Sequence, residues 1–209
     1  MSYEFVEKTK YLPIKKHLIN LIKLVQNEVR ECFTFQFNFI GSAKYNMITI
    51  GNPNKGFDFD IDIRVNDDEE NYKAEEIINI LNNAFIKQVN ENLTIFSFPE
   101  NSSRVLTIKA VDKQKSKILY SADIAVVFDC ENGKQQYIHF NKKKNLYYWN
   151  YKKESFYKLD EKILKIRSNS LWNCVRERYL DKKNRNYENK KSYSLFLETI
   201  NEIYNIFSN

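Results

Sequence analysis

Phe57-Asp58-Phe59-Asp60-Ile61-Asp62-Ile63-Arg64-Val65 alternates apolar and polar residues without a break. In an extended chain successive side chains point to opposite faces. Phe57, Phe59, Ile61, Ile63 and Val65 therefore make one apolar face, and Asp58, Asp60, Asp62 and Arg64 make the other. The pattern predicts a strand buried on one side. Same-face neighbours lie about 7 Å apart, so three carboxylates in a row repel one another and raise each other's pKa unless cations intervene. The plain alternative is a solvated strand face with Arg64 and a nearby Lys as partners.

Upstream, residues 13–31 read as an amphipathic helix opening at Pro13, with Ile14, Leu18, Leu21, Ile22, Val25 and Val29 on one face. Phe33, Phe35, Phe37 and Phe39 alternate in a half-buried strand that stops at Gly41. Asn52–Gly56 (NPNKG) is a turn, and NDDEENY (66–72) a solvated loop. Downstream, residues 74–89 form a second amphipathic helix with Ile77, Ile78, Leu81, Phe85 and Val89 inward. Residues 103–111 and 117–128 read as a strand pair, and 135–140 as a further strand. Residues 147–158 are aromatic and fit either state. From about Asp160 the chain is helical in three segments. The plan is α+β: a mixed β-sheet with flanking helices and a C-terminal helical part.

The rest of the composition narrows the class. The chain has 209 residues, 43% hydrophobic and 29% charged, enough for a sizeable core. Four Gly and three Pro argue against a turn-rich sandwich. The net charge of +6 favours polyanionic partners, although solvated lysines explain much of it. Cys32, Cys130 and Cys174 are far apart, and His17 and His139 are the two histidines. That combination argues against a zinc site and for a reducing, cytoplasmic setting. No signal-like h-region or long apolar run appears, so neither export nor membrane insertion is expected.

Two further features carry chemistry. Asp123 sits inside ILYSADIAVVF (118–128), a run apolar enough for a central strand, and an unpaired buried carboxylate there is expensive. It is either a structural ion pair or a third ligand brought beside the Asp-rich strand. Gly41-Ser42 follows a strand and lets backbone N–H groups approach a phosphate, with the Ser hydroxyl as a further donor.

The order of strand, Gly41-Ser42, connector, Asp58-Phe59-Asp60-Ile61 and a later lone Asp123 resembles the nucleotidyltransferase superfamily of DNA polymerase beta. The tail segments LWNCVRERYLDKK (171–183) and KKSYSLFLETI (190–200) are similar to paired helices of the oligoadenylate synthase branch, which also holds cyclic GMP-AMP synthase and bacterial cyclic-oligonucleotide synthases. The resemblance implies a polymerase-beta-like fold, with a catalytic core over 1–158 and a helical lobe over 159–209 packed on it. It implies transfer of a nucleoside monophosphate from a triphosphate, ATP being the expected one, by a two-metal mechanism with Mg²⁺ or Mn²⁺. Asp58, Asp60 and Asp123 would be the catalytic metal ligands. Gly41, Ser42, Lys44, Arg104 and Arg176 would bind the nucleotide, with Lys109 a further phosphate candidate.

The register Asp60/Asp62 is an alternative metal pair, disfavoured because family members place their carboxylates near the strand's start. Asp62 would then pair with Arg64 or Lys109, or act as an auxiliary base. The acceptor is open: a second nucleotide, giving a signalling oligonucleotide of the kind used in antiviral defence; an RNA end or protein; or a small drug such as an aminoglycoside. A catalytically silent nucleotide- or RNA-binding module is the competing reading. Oligomeric state has no signature in the sequence.

Overall fold

A computed structural model of the chain describes residues 2–208 apart from 52–55, 68–70, 93–94, 113, 116, 132 and 153–158. In chain order the elements are β1 (Glu4–Phe5), α1 (Lys8–Val29), β2 (Thr34–Ile40), α2 (Gly41–Lys44), β3 (Thr49–Ile50), β4 (Phe57–Asn66), α3 (Ala74–Glu91) and β5 (Glu100–Asn101). There follow β6 (Leu106–Asp112), β7 (Lys117–Asp129), β8 (Gln135–Asn141), β9 (Leu146–Tyr151), α4 (Leu159–Ser168), α5 (Trp172–Asn184) and α6 (Ser192–Ser208). These belong to two compact units. One comprises Val6–Ile48 and Pro53–Lys153, the other Met1–Phe5, Thr49–Asn52 and Glu154–Asn209.

The larger unit is built on a mixed sheet in the order β2-β4-β7-β6-β5. β4 and β7 are parallel, whereas β2 on β4 and β6 on β7 are antiparallel. β8 pairs with β7 at Val127–Asp129, on the edge that β6 occupies further back, and β9 continues from β8. β4 is thus a central strand, which its continuous apolar face requires: Phe59, Ile61 and Ile63 are each 0% exposed. The same face of the neighbouring strands gives Leu106, Ile108, Ala122, Ile124 and Val126, all buried in one core cluster. Leu18, Leu21, Ile22 and Val25 of α1 and Ile77, Leu81 and Phe85 of α3 belong to that cluster, so both helices cover this face. Burying each such Leu, Ile or Phe stabilises the fold by about 1.5–3 kcal/mol. Because the helices take one face, the carboxylates are left on the other.

Three local differences from the sequence reading have physical causes. α1 begins at Lys8 rather than at Pro13, so Pro13 lies inside it. Proline's fixed φ suits a helix, and the lost N–H costs one bond in the second turn. Tyr11, 2% exposed with its hydroxyl donating to Asn46 Oδ1 at 2.9 Å, anchors the additional turn. β6 starts at Leu106, later than residue 103, because Ser102 and Val105 close a turn by Ser102 N–H to Val105 C=O at 2.9 Å. The ambiguous aromatic segment contains strand β9, whose Trp149 and Tyr147 pair with Ile138 and Phe140. Most of the NPNKG turn and residues 68–70 of the acidic loop lie outside the described residues.

In the smaller unit β1 pairs with β3, and the three C-terminal helices fall where the sequence placed them. α5 and α6 are joined by Arg178 and Lys182, which reach Glu202 at 2.7 and 2.8 Å, and by the edge-to-face pair Tyr179–Phe196.

Candidate active site

The polar face of the sheet is organised in cross-strand rows. Asp60 on β4 lies opposite Asp123 on β7, with Ile40 of β2 on one side. Thr107 of β6 and Glu100 of β5 extend the row on the other side. The next row holds Asp58, Ser121 and Lys109, and the one beyond Asp60 holds Asn38, Asp62 and Ala125. Parallel pairing of β4 with β7 thus sets Asp60 beside Asp123 although 62 residues of chain lie between them.

Each outer carboxylate of the group has a hydroxyl partner. Ser121 Oγ donates to Asp58 Oδ1, and Thr107 Oγ1 donates to Asp123 Oδ1 at 2.6 Å. Asp60 is the most strained electrostatically. Burial pushes its carboxyl up to about 6, and the like charges of Asp123, Asp58 and Asp62 add to the rise. Asp62 pairs with neither Arg64 nor Lys109, contrary to expectation. Lys152 Nζ donates to its Oδ2 at 3.0 Å. Arg64 Nε lies 2.9 Å from Asp129 Oδ2, an ion pair off the N–H axis, and Lys109 is paired with Glu100.

Gly41 ends β2 one residue past Ile40, the cross-strand partner of Asp60. Its φ is +56°, and a Cβ there would stand 2.5 Å from Asp60 Oδ2. The position needs glycine for two reasons, conformation and the approach of its backbone to the carboxylate. Gly41 opens the short helical turn α2, where Ser42 is half-buried and Lys44 exposed with its ammonium 5.3 Å from the Tyr45 ring. The structure therefore joins Gly41, Asp58, Asp60 and Asp123 at one end of the polar face. Arg104 is in the turn before β6, with its guanidinium 5.5 Å from the Tyr137 ring. Arg176 lies on α5 in the smaller unit, 4.1 Å from the Phe5 ring.

Among the described residues no three His, Cys, Asp or Glu side chains stand close enough together to hold a metal ion as placed. The donor chemistry nevertheless fits Mg²⁺: the set is oxygen-only, and the like-charge load on Asp60 is what a cation would relieve. Among the described residues, side-chain hydroxyls rather than protein cations hold Asp58 and Asp123. Sequence reasoning missed Ser121, Thr107 and Lys152. The first two share the parity of Asp123 or face it across β6, a signal available once the strand pairing is known. Lys152 lies within the ambiguous aromatic segment, one residue past β9, and had no signature.

No family model matches the sequence, and no curated protein matches it. Solved structures do. CD-NTase CdnG of Bradyrhizobium diazoefficiens, in complex with GTP, superposes with a TM-score of 0.51 at 11% identity, over 85% of this chain and 43% of that one. DncV of Vibrio cholerae in its apo form gives 0.57 at 14% identity, over 90% and 51%. DncV of Escherichia coli, bound to 3'-deoxy GTP, gives 0.54 at 15% over 90% and 51%. The chain has the fold of the nucleotidyltransferases. The chain spans about half the length of the structures it matches. Among the described residues no helix is long and apolar enough to cross a membrane.

Proposed function

We propose that this chain is a Mg²⁺-dependent nucleotidyltransferase that moves a nucleoside monophosphate from a nucleoside triphosphate, ATP by preference, to the hydroxyl of a second nucleotide. The observation that carries this reading is the pairing of Asp60 with Asp123 across parallel strands, with the Gly41 backbone against Asp60. Asp58, Asp60 and Asp123 would hold Mg²⁺ or Mn²⁺. Bound metal supplies charge neutralisation at the transferred phosphoryl group and a lowered pKa for the attacking hydroxyl. Gly41 and Ser42 present backbone N–H groups and a hydroxyl beside that cluster, suited to the outer phosphates, while Lys44 and Arg104 are the candidate cations of the same unit for the rest. The attacking oxygen bonds to the α-phosphorus as the bond to the bridging oxygen breaks and pyrophosphate leaves.

A nucleotide acceptor is supported by two observations. The net charge of +6 favours polyanions over a polycationic drug. One of the similar folds, the Vibrio cholerae cyclic AMP-GMP synthase, holds a linear intermediate, 5'-pppA(3',5')pG. The test is incubation with each α-labelled triphosphate and Mg²⁺, with and without cellular RNA, with Asp60→Asn and Asp123→Asn as controls. The expected result is pyrophosphate release and a small, phosphatase-resistant labelled product, absent in both variants. Label in RNA, protein or an added aminoglycoside would change the acceptor; no pyrophosphate from any triphosphate would sink the reading.

A further inference from the structure

Asp62 is the carboxylate of β4's polar face that the proposed metal set leaves out. Strand geometry alone does not exclude it. Asp60 stands midway between Asp58 and Asp62, about 7 Å from each along one face, so either neighbour completes a D-x-D pair. The surroundings differ sharply. Asp58 is exposed, and its cross-strand neighbour is Ser121, a neutral hydroxyl that a cation displaces without charge repulsion. Asp62 is 9% exposed, and its cross-strand neighbours are Asn38 and Ala125.

The buried charge is met from far away in the sequence. Lys152, just past the end of β9 and 90 residues on, donates from Nζ to Asp62 Oδ2 at 3.0 Å. Lys152 is itself pinned at both ends. Its backbone N–H donates to Gln135 C=O at 2.8 Å, and its Nζ also donates to Gln135 Oε1. Neither neighbouring cation of the face substitutes for it, since Arg64 faces Asp129 and Lys109 faces Glu100. The other oxygen, Asp62 Oδ1, is buried without a hydrogen-bond partner among the described residues. Asp62 thus keeps an unused acceptor that a cation would take up if the ammonium left.

We propose that Lys152 is a positioning residue that holds Asp62 out of the metal-binding set and so confines the divalent cation to Asp58, Asp60 and Asp123; this rests on the function proposed above. An ammonium bound to Asp62 repels a divalent ion from that side of Asp60 and leaves the Asp58 side as the place where cation charge is missing. Without Lys152, both oxygens of Asp62 become available and the two frames compete.

The test measures Mn²⁺ binding by electron paramagnetic resonance, without nucleotide, in the full chain and in Lys152→Met, Asp62→Asn, the Lys152→Met/Asp62→Asn pair, Lys152→Arg and Asp60→Asn. Binding by the unaltered chain should be weakened by Asp60→Asn. Lys152→Met should bind Mn²⁺ about tenfold more tightly, the low end of what groups outside the ligand set change. That gain should vanish in the double variant, and Lys152→Arg should behave as the unaltered chain. In EDTA, Lys152→Met should melt lower, and adding Asp62→Asn should restore it. A chain whose Mn²⁺ binding responds to Asp60→Asn but not to Lys152→Met overturns this inference alone. A gain that survives in the double variant also overturns it. If the unaltered chain binds no Mn²⁺, the proposed function falls and the inference with it. Should Lys152→Met fail to fold, Mn²⁺ should restore its melting transition, and a variant that Mn²⁺ cannot restore counts against the inference.

Discussion

Asp60 is flanked by like charges on three sides, and its neighbours are what separate it from an ordinary strand aspartate. If the set holds the cation as proposed, removing one ligand forfeits several kcal/mol of transition-state stabilisation, at least about a thousandfold in rate. Asp58→Asn, Asp60→Asn and Asp123→Asn should each lose turnover to that extent in a pyrophosphate-release assay, whereas Asp62→Asn should keep measurable turnover. The reverse ranking of Asp58 and Asp62 would shift the metal pair by two residues. The Asp60 carboxyl also sets a pH dependence in metal-free protein. Its folded pKa, about 6, lies above the ordinary aspartate value, so the folded state binds this proton more tightly than the unfolded state does. Stability contributed by the proton is complete below about pH 4 and is lost as pH rises to about 6, a fall of about 3 kcal/mol that then levels off. Urea melts in EDTA across that range should show the slope, and Asp60→Asn should flatten it.

At the scale of elements, the junction of β2 with α2 and the β6–β7 ladder decide how the carboxylates are held. Gly41→Ala places a methyl group 2.5 Å from Asp60 Oδ2 at a φ of +56°. The backbone term alone costs about 1–2 kcal/mol, and the clash adds to it. Chemical denaturation of Gly41→Ala, Asp60→Ala and the double variant should show a coupling, because shortening Asp60 removes the clash but not the backbone cost. If the two losses simply add, the close approach is not what glycine serves. Thr107→Val removes the hydroxyl that holds Asp123. It should weaken Mn²⁺ binding by about tenfold, and Thr107→Ser should recover most of it, as expected for a group that orients a ligand.

For the whole molecule, the polar face gathers negative charge on a chain that is net positive. A ligand that binds the folded state alone stabilises it by about 2.7 kcal/mol at a hundredfold excess over Kd. For a chain of this size that corresponds to a rise in Tm of about 5–10 °C. Mg²⁺ with a nucleoside triphosphate should produce it in a thermal melt, and Asp123→Asn should not. An unchanged response in Asp123→Asn would remove that residue from the site.

Much of this was legible in the sequence because two periodicities were unbroken. FDFDIDIRV specified a one-sided strand, and the spacing of Leu18, Ile22 and Val25 and of Ile77, Leu81 and Phe85 specified the helices that cover it. The Gly41-Ser42 and Asp58/Asp60 spacing, with Asp123 in an apolar run, marked where chemistry was expected. Hydrophobic alternation assigns a residue to a face but says nothing about which strand lies alongside. The parallel register of β4 and β7 set Asp60 against Asp123 and Asp58 against Ser121, and the adjoining β6–β7 ladder set Thr107 against Asp123. No local pattern could have coupled Asp62 to Lys152. That contact depends on β8 joining the free edge of β7 and carrying β9 with it, so that a lysine 90 residues away arrives over a buried carboxylate. Periodicity is a property of neighbours along the chain and was readable; the partners of each buried charge come from long-range strand pairing, which only the folded chain decides.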